Sequence, residues 1–184
     1  MKKTILTFGL ISGVISSALM LGTMPFMDKI GFDKGMVVGY TGIVLSFLLV
    51  FFGIRSYRDN VLGGTISFTK AFTVGILITL ISCVFYVATW EIIYFGNLMP
   101  DFVEKMTNHM VEQVRNSGAS PTEVAAKLEE TRAFLEWYKN PFINAAFTFI
   151  EPFPVGLVVT LISAAVLRRK PKEPSPGEAV AATT

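Results

Sequence analysis

The sequence predicts an all-α fold: an integral membrane four-helix bundle with an external, periplasmic-side helical hairpin between spans 3 and 4. Three observations predict it. Hydrophobic residues make up 52% of the chain and charged residues only 16%, a poor match to a soluble domain, which spreads its charges evenly. The charges avoid four long windows, each near the length that crosses a hydrocarbon core of about 30 Å, roughly 20 helical residues. Between the third and fourth windows, apolar residues fall at helical spacing on a polar background. A net charge of +2, with no basic patch interleaved with aromatics, argues against nucleic acid as a partner. The basic residues sit beside the apolar windows, where the lipid bilayer accounts for them. Cys83, the single cysteine, lies inside such a window; it forms no intrachain disulfide and reads as a small packing residue.

The four windows are residues 5–26, 36–54, 71–95 and 145–167. Each mixes Gly, Ser or Thr with Leu, Ile, Val and Phe, which membrane helices tolerate because their backbone groups are satisfied internally. None carries Lys or Arg in its interior. Lys2 and Lys3, with Ser16 and Ala18 downstream, have the outline of a cleavable signal peptide. The apolar run continues to Phe26, past the usual apolar region of roughly 7–15 residues, so the first window is expected to stay as a span. Lys2, Lys3, Arg55, Arg58, Lys70, Arg168, Arg169, Lys170 and Lys172 all fall on one side of the four windows. The positive-inside rule makes that side cytoplasmic. The charges of the first opposite loop, Asp28, Lys29, Asp33 and Lys34, cancel, and residues 101–139 hold more acids than bases. The expectation is a multi-pass inner-membrane protein with both termini in the cytoplasm.

Within the external segment, residues 101–139, Phe102, Met106, Met110 and Val114 recur every four residues, and Gly118 follows as a helix stop. Ser120, Pro121, Thr122 and Glu123 form a capping box with proline at the first helical position. Val124, Leu128, Thr131, Leu135 and Tyr138 then give the second helix its own apolar stripe. Two stripes joined by a short turn read as a helical hairpin outside the membrane, with Pro100 and Pro141 separating it from the flanking spans. Residues 1–170 are therefore expected to form a single four-span domain. Residues 171–184, rich in proline and polar residues, are expected to be a disordered cytoplasmic tail.

Two stretches resemble a known family. The run Gly64, Thr65, Ile66, Ser67, Phe68, Thr69, Lys70, Ala71, Phe72, Thr73, Val74, Gly75 is similar to the entry into the third span of bacterial domain of unknown function family 4199, DUF4199. The run Phe147, Thr148, Phe149, Ile150, Glu151, Pro152, Phe153, Pro154, Val155, Gly156, Leu157, closed by Arg168, Arg169 and Lys170, resembles that family's last span. Tyr57 with Arg58, and Pro100 with Asp101 and Phe102, also fit. The resemblance covers most of the chain from Met1 to Lys170 and implies a four-span bacterial membrane protein without implying an activity.

Small residues recur at four-residue spacing in every span: Gly9, Gly13 and Ser17; Gly35 and Gly39; Ala71, Gly75, Thr79 and Cys83; Gly156, Thr160 and Ala164. Such ridges let backbones approach closely where lipid supplies no hydrophobic drive for association. Gly9, Gly13, Gly75 and Gly156 are the candidate helix-packing positions, and Gly9 with Gly13 is a candidate dimer or partner face. His109, the only histidine, has Glu112 as its one good neighbour for a metal, so it reads as a surface residue and no metal or other cofactor is expected. Glu91 and Glu151 are the candidate functional pair, because carboxylates inside spans are costly and are kept for a purpose. Trp90 and Tyr94 bracket Glu91 like an aromatic belt, and counting about 20 residues back from Leu167 puts Glu151 about one turn inside the outer boundary. There is no Gly-x-Ser-x-Gly elbow, phosphate loop or His-Glu-x-x-His. The favoured function is non-enzymatic, acting through membrane packing, a membrane protein partner or a homo-oligomer. The alternative is a small proton- or cation-coupled transporter using Glu91 and Glu151.

Overall fold

Four helical stretches are long and apolar enough to cross a membrane: Lys2–Phe26, Phe32–Val61, Phe68–Phe95 and Pro141–Leu167. They belong to a computed structural model that describes residues 1–169; the tail expected at residues 171–184 lies outside the described residues. The helices are α1 (Lys2–Thr23), α2 (Met27–Ile30), α3 (Phe32–Val61), α4 (Phe68–Phe95), α5 (Phe102–Asn116), α6 (Pro121–Tyr138), α7 (Pro141–Ile150) and α8 (Pro152–Leu167), with a 3-10 turn over Met24–Phe26. The only pairing of extended type among the described residues is an isolated bridge between Ile66 and Arg169.

Chain chemistry sets the boundaries. α3 outruns the window 36–54 at both ends, because Arg55 and Arg58 do not break a helix; they reach Asp59 with their guanidinium groups, and Arg58 also donates to the Leu167 carbonyl at 3.3 Å. The helix stops where Gly63 and Gly64 adopt positive φ, with the Gly64 amide donating to the Arg58 carbonyl at 2.9 Å. Ser67 caps α4 by accepting from the Lys70 amide. The capping box at Ser120 is complete: the Glu123 amide donates to the Ser120 hydroxyl and the Ser120 amide to the Glu123 carboxylate at 2.7 Å.

The fourth span starts at Pro141, four residues before the expected 145. Asn140 accepts from the Phe142 and Ile143 amides as a cap, and Pro141 fits the first helical position, where no amide is needed. Asn144 hid this start by its polarity, yet it is buried and satisfied, donating to the Tyr138 carbonyl at 3.2 Å and accepting from Thr148 at 3.3 Å. α7 and α8 meet at Glu151, which keeps helical dihedrals, so Pro152 and Pro154 interrupt the ladder without turning the chain away.

α1 packs along α4 and α3, and α8 packs along α4 and α3. The outer part of the fourth span behaves differently: α7 rests on α4 and α6 and has little contact with α3. The core is therefore concentrated in the halves of the spans nearer α8. Phe47, Val50 and Ile54 of α3 meet Ala71, Val74 and Ile78 of α4 there, all buried. Hydroxyls tie the spans across it. Ser12 donates to the Ser46 carbonyl at 2.9 Å and shares a hydrogen with Ser82 at 3.0 Å, and Thr79 pairs with Thr160 at 3.0 Å. Each is a polar group satisfied by another helix, which is how association gains energy where lipid is the alternative neighbour.

Candidate functional site

Where α3 and α7 part, they leave a cleft of about 760 Å³. α5 and α6, which pack on each other, close it from above. Along α4 its wall is Tyr86, Trp90 and Tyr94, one residue per turn; α7 adds Phe147 and Thr148, with Glu151 at the α7–α8 junction. α3 supplies Gly35, Met36, Gly39 and Gly42. The roof is the apolar stripe of α5, Phe102, Met106 and Met110, with Phe134, Leu135 and Tyr138 of α6. α5 has no buried residue at all, because this stripe overhangs the cleft instead of meeting a solid core.

Methionine is concentrated in the lining. Met20, Met24, Met27, Met36, Met106 and Met110 border the cleft, six of the eight methionines in the chain. Unbranched thioethers repack around ligands of varied shape, so such surfaces suit adaptable apolar binding. Among the described residues no Lys or Arg lines the cleft. Its one carboxylate, Glu151, is exposed to it and accepts a hydrogen bond from the Tyr86 hydroxyl through Oε2 at 3.0 Å. The Tyr138 hydroxyl lies 3.3 Å from the Thr148 hydroxyl, and burial pushes the Tyr138 phenol above the ordinary tyrosine range, so it stays protonated. The Trp90 indole N–H is buried and lies near the Tyr138 hydroxyl without a hydrogen bond of good geometry.

His109 has a structural role that sequence reading missed when it assigned a plain surface position. Its ring stacks on Phe32 at 5.2 Å, and its Nε2 lies 3.2 Å from Asp33 Oδ1, which also accepts from Gln113 at 3.1 Å. This cluster fastens α5 to the start of α3 at the rim of the cleft. Residues 76 apart make the contact, and nothing in their local sequence announces it.

The two carboxylates singled out by sequence have different surroundings. Glu151 faces the cleft, whereas Glu91 is not part of its lining and has Oε1 buried without a partner. No hydrogen bond joins the two among the described residues. Glu151 also lies ten residues after Pro141, where α7 begins. The four candidate packing glycines lie where spans approach. A Cβ on Gly9 would come within 2.8 Å of Ile81, on Gly13 within 2.7 Å of Phe85, on Gly75 within 2.8 Å of Thr160, and on Gly156 within 2.8 Å of Phe47. Gly39 is unlike them: it has nothing within 4 Å and borders the cleft, so the ridge of Gly35 and Gly39 carries no packed span at Gly39.

A family model described as Protein of unknown function (DUF4199) matches residues 7–169. No curated protein and no solved structure matches the chain.

Proposed function

The chain belongs to the DUF4199 family, and we propose that it is a non-enzymatic protein of the bacterial inner membrane that binds an apolar-chained membrane component in the cleft between its spans. The observation that carries this reading is the methionine-lined cleft of about 760 Å³, a volume within the roughly 300–1,000 Å³ of pockets that hold small ligands. The lining contains no nucleophile paired with a base; its one acid is bonded to a tyrosine hydroxyl. That supports binding over catalysis.

Orientation follows from the Lys and Arg residues at one set of span ends, with both termini cytoplasmic and α5–α6 a hairpin on the periplasmic side. In that frame Tyr86 is sixteen residues from Lys70, and Glu151 seventeen from Arg168, each about 25 Å from the cytoplasmic boundary at 1.5 Å per residue. The cleft then opens in the outer leaflet, beside α3 and α7, and α5–α6 covers it at headgroup level. A lipid chain is its natural occupant. A second copy of the chain or another membrane protein is the competing occupant, and mass measurement tells them apart.

A second reading, a proton- or cation-coupled transporter using Glu91 and Glu151, draws support from Glu151 facing the cleft. The position of Glu91 outside that lining makes it the weaker one.

Native mass spectrometry tests the first reading. Gly39→Phe directs a ring into the cleft from a position where an added Cβ meets nothing within 4 Å. The wild-type chain should leave the detergent micelle with a bound lipid mass, and the variant should lose it. Equal lipid retention by both, or a protein mass in its place, overturns the reading.

A further inference from the structure

Resting on the cleft as a binding site for an apolar chain, we infer that it selects an amphiphile whose headgroup donates hydrogen bonds, an ammonium or a hydroxyl, and rejects one headed by a carboxylate. The basis is charge complementarity. Among the described residues Glu151 is the one carboxylate in the lining, no Lys or Arg is there to neutralise it, and the one histidine, His109, lies against Asp33 at the rim. Tyr86 occupies Oε2, while Oε1 takes no hydrogen bond from the described residues. A carboxylate in a water-poor setting needs donors on both oxygens or a cation nearby, and an occupant of the cleft can bring the second. The apolar lining around Glu151, which includes Leu19, Ile43, Met106 and Met110, takes the chain. An anionic headgroup placed beside Glu151 meets a like charge with no Lys or Arg among the described lining residues to offset it.

The chain carries its own reporter. Trp90 lines the cleft, and the other tryptophan, Trp137, is 68% exposed on α6, so Trp137→Phe leaves Trp90 as the single indole, excited apart from the tyrosines at the red edge, at little structural cost. In nanodiscs of phosphatidylcholine, the full chain with this substitution is titrated with amphiphiles of one brominated chain length bearing an amine, an alcohol or a carboxylate. Bromine quenches the indole only at close range. Saturable quenching by the amine and the alcohol should occur at concentrations about tenfold lower than for the carboxylate, the size of one charge-assisted hydrogen bond gained or lost. Adding Glu151→Gln should bring the amine and the carboxylate to within about twofold of each other while leaving quenching by the chain in place. Equal quenching by all three headgroups, or a preference that survives Glu151→Gln, overturns the headgroup assignment and leaves the cleft reading standing. No saturable quenching by any of the three overturns the cleft reading itself.

Discussion

Gly75→Ala isolates what close approach contributes to this fold. The added Cβ would sit 2.8 Å from Thr160 Cγ2, 2.9 Å from Ile54 Cδ1 and 3.2 Å from Val50 Cγ1. Those atoms belong to α8 and α3, so moving α4 away from one neighbour drives it into the other. Thr160 cannot rotate freely, because its hydroxyl is bonded to Thr79 at 3.0 Å, and Ile54 and Val50 are both fully buried. Overpacking of this kind costs about 1–3 kcal/mol, while the alanine returns up to about 1 kcal/mol of helix propensity. Gly39→Ala gains the same propensity and meets nothing within 4 Å, so the difference between the two variants is the steric cost alone, about 1–3 kcal/mol. Thermal unfolding in a fixed detergent reads it. Gly39→Ala should melt at or slightly above wild type, and Gly75→Ala below Gly39→Ala by roughly 2–4 °C per kcal/mol. Equal melting temperatures for the two variants would refute the reasoning, because they would mean the spans part freely at Gly75.

Thr79→Val removes the buried hydroxyl pair with Thr160 and should cost about 0.6 kcal/mol, the average for polar contacts between membrane helices; the double variant with Thr160→Val should cost no more than the single, as a double-mutant cycle by unfolding will show. Asp33→Ala removes the acceptor shared by His109 and Gln113, so amide exchange should quicken along α5 and at the rim of α3 while α8 is unchanged; uniform exchange in all helices would count against a local fastening. The Ser120 amide and hydroxyl hold the Glu123 carboxyl below the usual carboxylate range. A group depressed in the folded state contributes stability above its unfolded pKa and loses it as pH falls through its folded pKa, so protection at the first turn of α6, taken relative to the intrinsic exchange rate at each pH, should fall in acid in the wild type and show no such pH step in Glu123→Gln.

How much of this was legible in the sequence depended on whether the signal was local. The apolar windows and the Ser120 capping box are contiguous patterns, and each reappears at its own residues in the structure. The start of the fourth span was misjudged because Asn144 counts as polar in a window, whereas its buried amide is paired with Tyr138 and Thr148. The cleft was not legible at all. Its six methionines are dispersed along the chain from Met20 to Met110, and no spacing rule links them until the helices are placed. Gly39 shows the same limit from the other side: four-residue spacing of small residues marks a smooth helix face, and only packing decides whether a helix or a void lies against it.

The central claim, that the cleft beneath α5 and α6 holds a lipid chain, is tested most directly by photo-crosslinking on α5. A photoreactive amino acid at Met110 lies in the roof of the cleft, while one at Glu112, two residues on, points to exposed surface. After illumination in native membranes and purification, mass spectrometry of the chain should find a lipid adduct at position 110 and none at 112. A lipid adduct at neither position, or equally at both, would contradict the account.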